Sequence, residues 1–418
     1  MKFLFIHQNF PAQFVHLAPA LAARGHQVVA LGVTSRSPAL PGVRYVVHRP
    51  SAKAEEGASG PGFAPDWPAK QARAESAAPA MQALKAEGFV PDVVFGHPGW
   101  GEMLYARDVF PHSRHLVFAE YYYGAQGGDA FFDPEFQDRN DKLEALKRLR
   151  LKNTHLLHAL AACDEAVSPT EFQKDRHPPA FLDRIRVIHD GIDTQRFKPN
   201  PHARVELTKS QVALQHGDEV VSFVARQLEP YRGYHIFMRS LARLQRLRPR
   251  ARVVIVGGDG TSYGAQPPPG KTWKNIFLEE VKGALDMTRI HFVGQVPHAV
   301  LQQLLQVSAV HTYLTYPFVL SWSMLEAMSQ GALLVASDTA PVREVLEHGR
   351  NGLLVDFFNP EALADTVADA LAHQEQLRPL REAARQTVVE RYDLQSVCLP
   401  QMLSWVEARP TLAARASR

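Results

Sequence analysis

The sequence predicts an α/β protein of two domains, each organised around a parallel β-sheet. Its 418 residues are enough for two domains, or about three at most, each with its own hydrophobic core. Short apolar segments alternate with helical patterns along the chain, for example at residues 252–256 and 332–336. Continuously apolar strands that alternate with helices are typical of parallel sheets covered by helices on both faces.

Composition and charge narrow the class of protein. Hydrophobic residues make up 45% and charged residues 21% of the chain, as in an ordinary globular protein. The net charge of +3 is too small to imply a nucleic-acid partner. Cys163 and Cys398 are the only cysteines, and they match no zinc or redox spacing. We therefore expect the protein to reside in a reducing cytosol. The opening apolar run is too short for a signal peptide, and no segment approaches the roughly 20 apolar residues that span a bilayer.

The first domain is predicted to begin with a βαβ unit. Residues 2–6 and 28–32 read as strands, and residues 11–24 read as the helix between them. The turn after the first strand contains no G-x-G-x-x-G fingerprint, which argues against a nicotinamide or flavin dehydrogenase. Gln8 and Asn9 in this turn are candidate ligands of a cleft, and the alternative is an ordinary turn role for both.

Two later strands of this domain end in polar residues. Residues 92–96 run into a Gly-rich turn that begins with His97, and residues 116–119 are followed by Glu120. The carboxyl ends of parallel strands are where α/β proteins build their sites. His97 and Glu120 are therefore the catalytic candidates of the first domain.

Two segments of the first domain are predicted to lie at the surface. Residues 50–68 are small, polar and rich in Pro and Gly, which indicates a loop. Residues 139–160 form a basic helical stretch with leucines between its lysines and arginines. It is either a solvated helix with one side on the core or a helix that lies on an anionic membrane surface.

The second domain is predicted to open with a buried strand at residues 220–224. Arg226 and Arg232 follow in the next loop, at a strand end where α/β proteins bind ligands. Each guanidinium group can bind two phosphate oxygens in a bidentate manner. The alternative is a pair of solvated surface arginines. Residues 264–272, GAQPPPGKT, are not a P-loop, because five residues rather than four separate the glycines and three of them are prolines, which lack an N–H group.

Residues 316–357 carry the most informative pattern. A Ser-rich turn leads into a short apolar helix that holds one acid, Glu326, and ends at Gly331. A helix that starts beyond a strand end can direct its first N–H groups at an anion, here those of Ser323, Met324 and Leu325. Ser323 and Glu326 also fit a capping box, in which the acid only returns a hydrogen bond to the cap.

This stretch resembles the C-terminal signature of glycosyltransferase family 4, retaining sugar transferases with the GT-B fold. The similarity lies in Leu325-Glu326-Ala327-Met328, Gly331, residues 335–338, Glu344-Val345 and residues 349–355. It extends to residues 225–233, which are similar to the donor loop G-R-x(4)-K-G. Near the N-terminus, residues 7–14 read HQNFPAQF and are similar to a subgroup with HQNFPGQF.

The resemblance implies a fold and a set of roles. In a GT-B fold two Rossmann-like domains face each other across a cleft and the C-terminal helix crosses back onto the first domain. We place the acceptor domain at residues 1–199, joined by the helix at about 394–418, and the donor domain at residues 200–393. Glu326 would bind the ribose, and Arg226, Arg232 and the helix N-terminus would bind the diphosphate. The residues near the base would be Gly257, Gly258 and Val293.

Three positions depart from the family pattern. Glu120 stands where the family commonly has His, and Arg232 replaces a Lys and lies one residue further on. Phe318 stands in place of the first of the two signature glutamates, which normally contacts the donor sugar. Phe318 is therefore expected in the donor-sugar pocket, where it cannot act by charge.

The expected activity is retaining transfer from a nucleoside-diphosphate sugar to a hydroxyl acceptor, either a carbohydrate or a lipid-linked saccharide. No cofactor is expected, and no metal either, because the chain has no D-x-D pair or H-x-x-x-H cluster. The expected location is cytoplasmic, with peripheral contact at the inner face of the membrane if residues 139–160 lie on it. Two alternatives are a catalytically inactive GT-B binding or partner subunit, suggested by Phe318, and a sugar-nucleotide epimerase.

Overall fold

A computed structural model describes residues 1–33, 39–51, 66–136, 142–207 and 211–408. Most of the predicted loop at 50–68 and the first residues of the predicted helix at 139–160 lie outside these ranges. Residues 66–68 belong to a helix, Asp66–Ala86, rather than to the predicted loop. None of the helices in the described ranges has the length and apolar character needed to cross a membrane.

The chain divides into two compact units. The first comprises Met1–Phe131, Gln137–Asp190 and Cys398–Arg418, and the second comprises Phe132–Phe136 and Gly191–Val397. The chain thus enters the second unit after Asp190 rather than after 199, and it returns at Cys398 rather than at about 394. The sequence pattern gave no indication that Phe132–Phe136 belongs to the second unit.

The first unit contains a seven-stranded sheet in which every neighbouring pair is parallel. Its strands are β1 (Lys2–Ile6), β2 (Gln27–Gly32), β3 (Val43–Val47), β4 (Val93–Gly96), β5 (Arg114–Phe118), β6 (Glu165–Ser168) and β7 (Ile185–Val187). The order is β3-β2-β1-β4-β5-β6-β7, so the direction of winding reverses between β1 and β4. Ligands of such sheets bind beyond the strand ends at that reversal.

Helices cover the sheet of the first unit. They are Leu17–Ala23, Asp66–Ala86, Ala106–Val109, Lys142–Lys152, Thr154–Ala162, Glu171–Asp175 and Leu399–Glu407, with 3-10 turns at Ala12–Phe14, Pro98–Trp100 and Pro179–Arg184. The C-terminal helix packs in this unit as predicted. The ring of its Trp405 lies 5.4 Å from Phe95, and Arg114 donates hydrogen bonds to the carbonyls of Trp405 and Val406.

Two predicted helices of the first unit are interrupted. The predicted helix at 11–24 is a 3-10 turn followed by Leu17–Ala23, and Ala12 has a φ of 39°, in a region that favours glycine. The predicted helix at 139–160 breaks at Asn153, whose side chain pairs with the backbone N–H and carbonyl of Tyr123. In both places a local tertiary contact or turn overrides the helical pattern.

The second unit contains a two-stranded antiparallel hairpin, β8 (Arg204–Leu207) and β9 (Val212–Gln215), and a six-stranded parallel sheet. The strands of the sheet are β10 (Val220–Gln227), β11 (Arg252–Gly258), β12 (Ile290–Gly294), β13 (Val310–Tyr313), β14 (Leu333–Ser337) and β15 (Leu353–Val355). Their order, β12-β11-β10-β13-β14-β15, reverses between β10 and β13.

The helices of the second unit pack on both faces of this sheet. They are Tyr234–Leu247, Trp273–Val281, His298–Val307, Trp322–Ser329, Ala340–Arg343, Pro360–Ala372 and Arg378–Tyr392, with 3-10 turns at Pro230–Arg232, Lys282–Ala284 and Met287–Arg289 and a π-helical turn at Leu394–Cys398. The predicted α/β class with two Rossmann-like parallel sheets is confirmed.

Candidate functional site

Each unit places polar side chains at the winding reversal of its sheet. In the first unit, β1 leads into the turn that starts at His7, and β4 leads into the turn that starts at His97. Asn9 N–H donates to His7 Nδ1 at 2.9 Å, and Val33 N–H donates to the Gln8 carbonyl at 3.0 Å. Both hydrogen bonds use backbone atoms of the predicted cleft residues Gln8 and Asn9, and they shape the turn.

The structure brings the predicted residues His97 and Glu120 together. Gly99 N–H donates to His97 Nδ1 at 3.0 Å, so neutral His97 carries its proton on Nε2, which lies 3.3 Å from Glu120 Oε2. The other carboxylate oxygen of Glu120 accepts from Gln13 Nε2 at 3.1 Å. The Glu120 side chain is 32% exposed, so its carboxylate lies close to His97, accepts a hydrogen bond from Gln13 and still reaches solvent.

His7 is buried next to this group. Burial, followed by the nearby His97 ring, lowers the pKa of His7 to about 3, so His7 is neutral at physiological pH. The indole of Trp100 lies 4.6 Å from both imidazole rings. Sequence reasoning missed Gln13, although it lies in the HQNFPAQF segment that carried the resemblance.

In the second unit, the two predicted arginines lie in different elements. The strand predicted at residues 220–224 extends to Gln227, so Arg226 belongs to β10 rather than to the loop, and Arg232 ends the 3-10 turn that follows, Pro230–Arg232. Arg226 is exposed, and Arg232 is buried with 8% of its surface accessible. Arg232 Nη1 donates to Thr315 Oγ1 at 2.8 Å and to the Val319 carbonyl at 3.1 Å. In the described part of the chain, no carboxylate forms an ion pair with either guanidinium. A buried cation without a carboxylate partner is costly unless a ligand supplies the opposite charge.

The helix Trp322–Ser329 begins at the end of the loop after β13. Its cap is Ser321, whose Oγ accepts from Ser323 N–H at 3.4 Å and whose carbonyl accepts from Met324 N–H at 3.2 Å. The capping box with Ser323 as its cap is therefore wrong. The first turn of the helix, with Ser323, Met324 and Leu325, lies beside the winding reversal of the sheet.

Glu326 is buried inside this helix and does not return to the cap. Its side chain is 7% exposed, and its Oε1 lies 3.1 Å from Nε2 of His298. His298 is the first residue of the helix His298–Val307, and its ring packs 5.2 Å from Phe197. A buried carboxylate beside a half-exposed imidazole is suited to accept hydrogen bonds from ligand hydroxyls. No motif in the sequence indicated His298.

Glycines at the end of β11 allow a close approach of side chains. A Cβ on Gly258 would lie 2.3 Å from Gln227 Oε1 and 3.0 Å from Gln295 Nε2, so a larger residue would require these side-chain ends to move. Gln227 Oε1 also accepts from Gly260 N–H at 2.9 Å. Gly257 and Gly258 end β11, and Val293 lies half-buried near the end of β12, the strand next to it. Gln227 and Gln295 join the candidate residues near the end of β11, and the sequence motifs did not indicate either of them.

Phe318 is buried in an aromatic cluster around Arg232. Its ring lies 5.0 Å from Tyr263 and 5.5 Å from Tyr231, and the Arg232 guanidinium lies 6.0 Å from Phe318 and 5.3 Å from Tyr263. The buried carboxylate of Glu229 accepts from the N–H groups of residues 262–264 at 3.1–3.3 Å, which fixes the loop that carries Tyr263. Rings therefore surround Arg232 where the family places an acid.

Comparisons with known proteins identify the family and the fold of the chain. The family described as "Glycosyl transferase family 4 group" matches residues 24–197, and "Glycosyl transferases group 1" matches residues 205–387. D-inositol 3-phosphate glycosyltransferase of Corynebacterium urealyticum is 27% identical over 252 residues, which cover 60% of this chain and 56% of that protein. Spore coat protein SA of Bacillus subtilis is 25% identical over 228 residues, 52% of this chain and 58% of that protein. The chain spans about half the length of these curated relatives.

Solved structures resemble the chain over its whole length. Sucrose-phosphate synthase from Thermosynechococcus elongatus superimposes with a TM-score of 0.72 at 18% identity and covers 100% of both chains. The Anabaena protein HepE in complex with UDP superimposes with a TM-score of 0.65 at 16% identity, with 97% of this chain and 99% of that chain covered. At such identities the likeness establishes the fold. With two glycosyltransferase descriptions matched along its length, the chain belongs to glycosyltransferase family 4 and has the GT-B fold.

Proposed function

We propose that this protein transfers a glycosyl group from a nucleoside-diphosphate sugar to a hydroxyl acceptor with retention of configuration. The single observation that carries the proposal is the pair of arginines at the end of β10 and in the 3-10 turn that follows it. Both lie at the winding reversal of the sheet, neither forms an ion pair in the described ranges, and Arg232 is buried. A diphosphate would supply the missing negative charge.

The other residues that would bind the nucleotide-sugar donor are assigned from the same winding reversal of the second sheet. The first turn of the helix Trp322–Ser329 would direct N–H groups at the diphosphate, and Glu326 would accept hydrogen bonds from the ribose hydroxyls. Gly257, Gly258 and Val293 would lie against the base. The aromatic cluster of Phe318, Tyr231 and Tyr263 would form the wall of the donor-sugar pocket.

The transfer step can proceed without a protein nucleophile. The bond between the anomeric carbon and the β-phosphate oxygen breaks while the acceptor oxygen forms its bond on the same face of the sugar. The acceptor proton passes to the leaving phosphate, and a nucleoside diphosphate is released. Arg226, Arg232 and the helix N-terminus would stabilise the developing charge, so this scheme requires no metal.

Residues of the first unit would bind the acceptor. Glu120 lies beside His97 and is oriented by a hydrogen bond from Gln13, and it can accept a hydrogen bond that orients an acceptor hydroxyl. The Anabaena protein HepE forms complexes with UDP and with UDP-glucose, and this supports a uridine nucleotide as the first donor to test.

A lipid-linked acceptor is supported by one exposed helix. Lys142–Lys152 has no buried residue, and Leu143 and Leu146 on one side of it are 67% and 36% exposed. The helix carries five Lys or Arg residues and a single acid, Glu144. A basic helix that exposes leucines complements the charge and the apolar interior of an anionic bilayer, so we propose that this side contacts the membrane surface.

Nucleotide binding followed by product analysis tests the proposal. Calorimetry with UDP, GDP and ADP, with and without Mg²⁺, should identify one nucleotide that binds the wild-type protein. The matching nucleotide-sugar should then give a product with the anomeric configuration of the donor, read by NMR. Binding without transfer to any hydroxyl acceptor would favour the inactive-subunit alternative, and epimerised donor would favour the epimerase. If no nucleotide binds, the donor site is wrongly assigned.

A further inference from the structure

A five-residue segment, Phe132–Phe136, belongs to the second unit although the residues on both sides of it belong to the first. Phe131, which precedes it, has a φ of 60°, a conformation that residues with a Cβ rarely adopt. The backbone preference of Phe131 does not favour this path. The contacts of the segment must therefore determine it.

Side chains at both ends of the segment anchor it in the second unit. The ring of Phe132 lies 5.0–5.2 Å from those of Tyr316, Phe357 and Phe358. The ring of Phe136 makes edge contacts with His235 and Trp273 at 5.2 and 5.4 Å. Glu135 pairs with Arg239 through two hydrogen bonds of 2.7 and 2.8 Å, so the segment is held by apolar and charged contacts alike.

The middle of the segment places one carboxylate in the protein interior. Asp133 is 4% exposed, and its Oδ2 accepts from the Tyr316 hydroxyl at 2.7 Å and lies 3.1 Å from His235 Nε2. Burial alone would raise the pKa of Asp133, but hydrogen bonds from His235 and Tyr316 hold it below its usual range. Burial and the Asp133 charge raise the pKa of Tyr316, so its hydroxyl remains a donor.

Tyr316 lies in the loop that follows β13 and contains Phe318. Arg232 bonds to this loop at Thr315 and Val319, on either side of Phe318 in the sequence. Tyr316 N–H donates to the Tyr231 carbonyl at 3.0 Å, and their rings lie 4.7 Å apart. The loop is thus fixed by Arg232 at two points and by Asp133 at a third.

We infer that Asp133 is a positioning residue for the donor-sugar pocket, which acts through the Tyr316 hydroxyl to hold the loop that carries Phe318. This inference rests on the proposed function, because it assigns the loop to donor-sugar recognition. Asp133 itself does not touch the donor. Its effect is to keep the ring of Phe318 in one arrangement before the sugar binds, while Arg232 keeps its own bonds to the loop.

The alternative role for Asp133 and its neighbours is to bind a metal ion. Ligand-type atoms of Asp133, Glu135 and His235 lie within 4.8 Å of one another, the one such group found in the described ranges. Both carboxylates already have partners, since Glu135 is paired with Arg239 and Asp133 accepts from Tyr316. The guanidinium beside Glu135 also opposes a second positive charge. We therefore favour the positioning role, and the experiment includes the metal as an outcome.

The test compares Asp133→Asn and Tyr316→Phe with Glu135→Gln. Glu135→Gln weakens the contact of the same segment with Arg239 but leaves Asp133 and Tyr316 intact, so it is the matched control. Calorimetry gives the affinity for the nucleoside diphosphate, and steady-state kinetics gives KM for the nucleotide-sugar and for the acceptor. Melting temperatures report stability, and all variants are assayed well below them.

Asp133→Asn and Tyr316→Phe should each raise the KM for the nucleotide-sugar about tenfold, since each weakens a hydrogen bond that involves a charged group. The Kd of the nucleoside diphosphate and the KM of the acceptor should stay within about twofold of wild type, because the Glu326 and Glu120 regions are untouched. The double variant should be no worse than either single variant, because one interaction is lost in all three. Glu135→Gln should leave the KM for the nucleotide-sugar unchanged.

Three results would overturn the inference. The first is a fall in melting temperature with unchanged KM for the nucleotide-sugar in both Asp133→Asn and Tyr316→Phe. The second is an equal rise in KM in Glu135→Gln. The third is a rise in melting temperature on addition of Zn²⁺ or Mn²⁺ that Asp133→Asn abolishes. If wild-type protein binds no nucleotide at all, the proposed function fails first, and the two failures are thereby distinguished.

Discussion

Nε2 of His298 lies 3.1 Å from Oε1 of Glu326, at the start of one helix and within the first turns of another. The imidazole is 47% exposed and the carboxylate 7%. This pairing explains why Glu326 is not a capping residue. Its carboxylate points to His298 and leaves the cap to Ser321, so it is available to a ligand at the winding reversal of the second sheet.

Glu326→Gln should weaken nucleoside-diphosphate binding about tenfold, because a charge-assisted hydrogen bond to the ribose becomes a neutral one. Calorimetry with the nucleotide and its 2′,3′-dideoxy analogue checks the atom involved. Wild-type protein should prefer the nucleotide with both hydroxyls, and Glu326→Gln should lose most of that preference. Glu347→Gln, an exposed position paired with Arg350, is the control and should bind as wild type does. An unchanged preference in Glu326→Gln would remove Glu326 from the ribose site.

Arg232→Met should lower the affinity for the nucleoside diphosphate roughly thirtyfold, which corresponds to about 2 kcal/mol for a lost charge-assisted contact. Arg232→Lys should recover part of this loss, because lysine keeps the positive charge but lacks the bidentate hydrogen-bond geometry of the guanidinium. Binding is measured by calorimetry at two salt concentrations, with Arg246→Met on an exposed part of the helix Tyr234–Leu247 as the control. Equal affinity in Arg232→Met and Arg246→Met would contradict the phosphate role.

Glu120→Gln should lower kcat by about a hundredfold and leave the Kd of the nucleotide unchanged, because Glu120 belongs to the unit that would bind the acceptor. Gln13→Ala should have a smaller effect in the same direction, since Gln13 only orients the carboxylate. The assay is steady-state transfer with the acceptor varied. Glu75→Gln, on the exposed side of the helix Asp66–Ala86, controls for loss of a surface carboxylate. Wild-type turnover in Glu120→Gln would exclude Glu120 from catalysis.

Leu143→Glu and Leu146→Glu should each weaken binding to anionic vesicles about tenfold, because each removes an apolar contact and adds a repelled charge. Co-sedimentation with vesicles that contain phosphatidylserine measures the effect, and vesicles of phosphatidylcholine alone should bind little. Leu247→Glu is the control, because Leu247 is 46% exposed but lies in the second unit. Equal sedimentation of all three variants with wild-type protein would rule out this helix as the membrane contact.

Acid should destabilise the fold through buried neutral histidines. Burial lowers the pKa of His311 to about 4, from 6.5 in the unfolded chain. The unfolded chain therefore binds more protons below pH 6.5, and stability is lost as pH falls from 6.5 towards 4. One such histidine accounts for up to about 3 kcal/mol over that range.

His311→Asn should flatten this pH dependence, because the side chain no longer titrates and can still pair with Ser222, which bonds to His311 Nδ1 at 2.9 Å. Urea unfolding from pH 7 to pH 4.5 measures the slope. His112→Asn, at an exposed position, should keep the wild-type slope. Burial also lowers the pKa of His189 to about 4, so part of the acid sensitivity should remain. Identical slopes in wild type and His311→Asn would refute the assignment.

Local pattern in the sequence was sufficient for the class of fold. Apolar strands that alternate with helices predicted both parallel sheets, because such strands must be covered on both faces. The signature around Glu326, together with Arg226 and Arg232, indicated the ends of β10 and β13 as the place of the candidate site. Gly331 ends its helix with a φ of 78°, as its position in the sequence predicted.

The contacts that join distant residues were decided only by the tertiary structure. His298 beside Glu326, Gln13 on Glu120 and Asp133 on Tyr316 are separated by 28, 107 and 183 residues. No local period encodes such pairs, since each depends on how strands far apart in sequence become neighbours. The same reason explains the segment Phe132–Phe136. Its composition resembles that of a surface turn, and only the surrounding rings and Tyr316 make it part of the second unit.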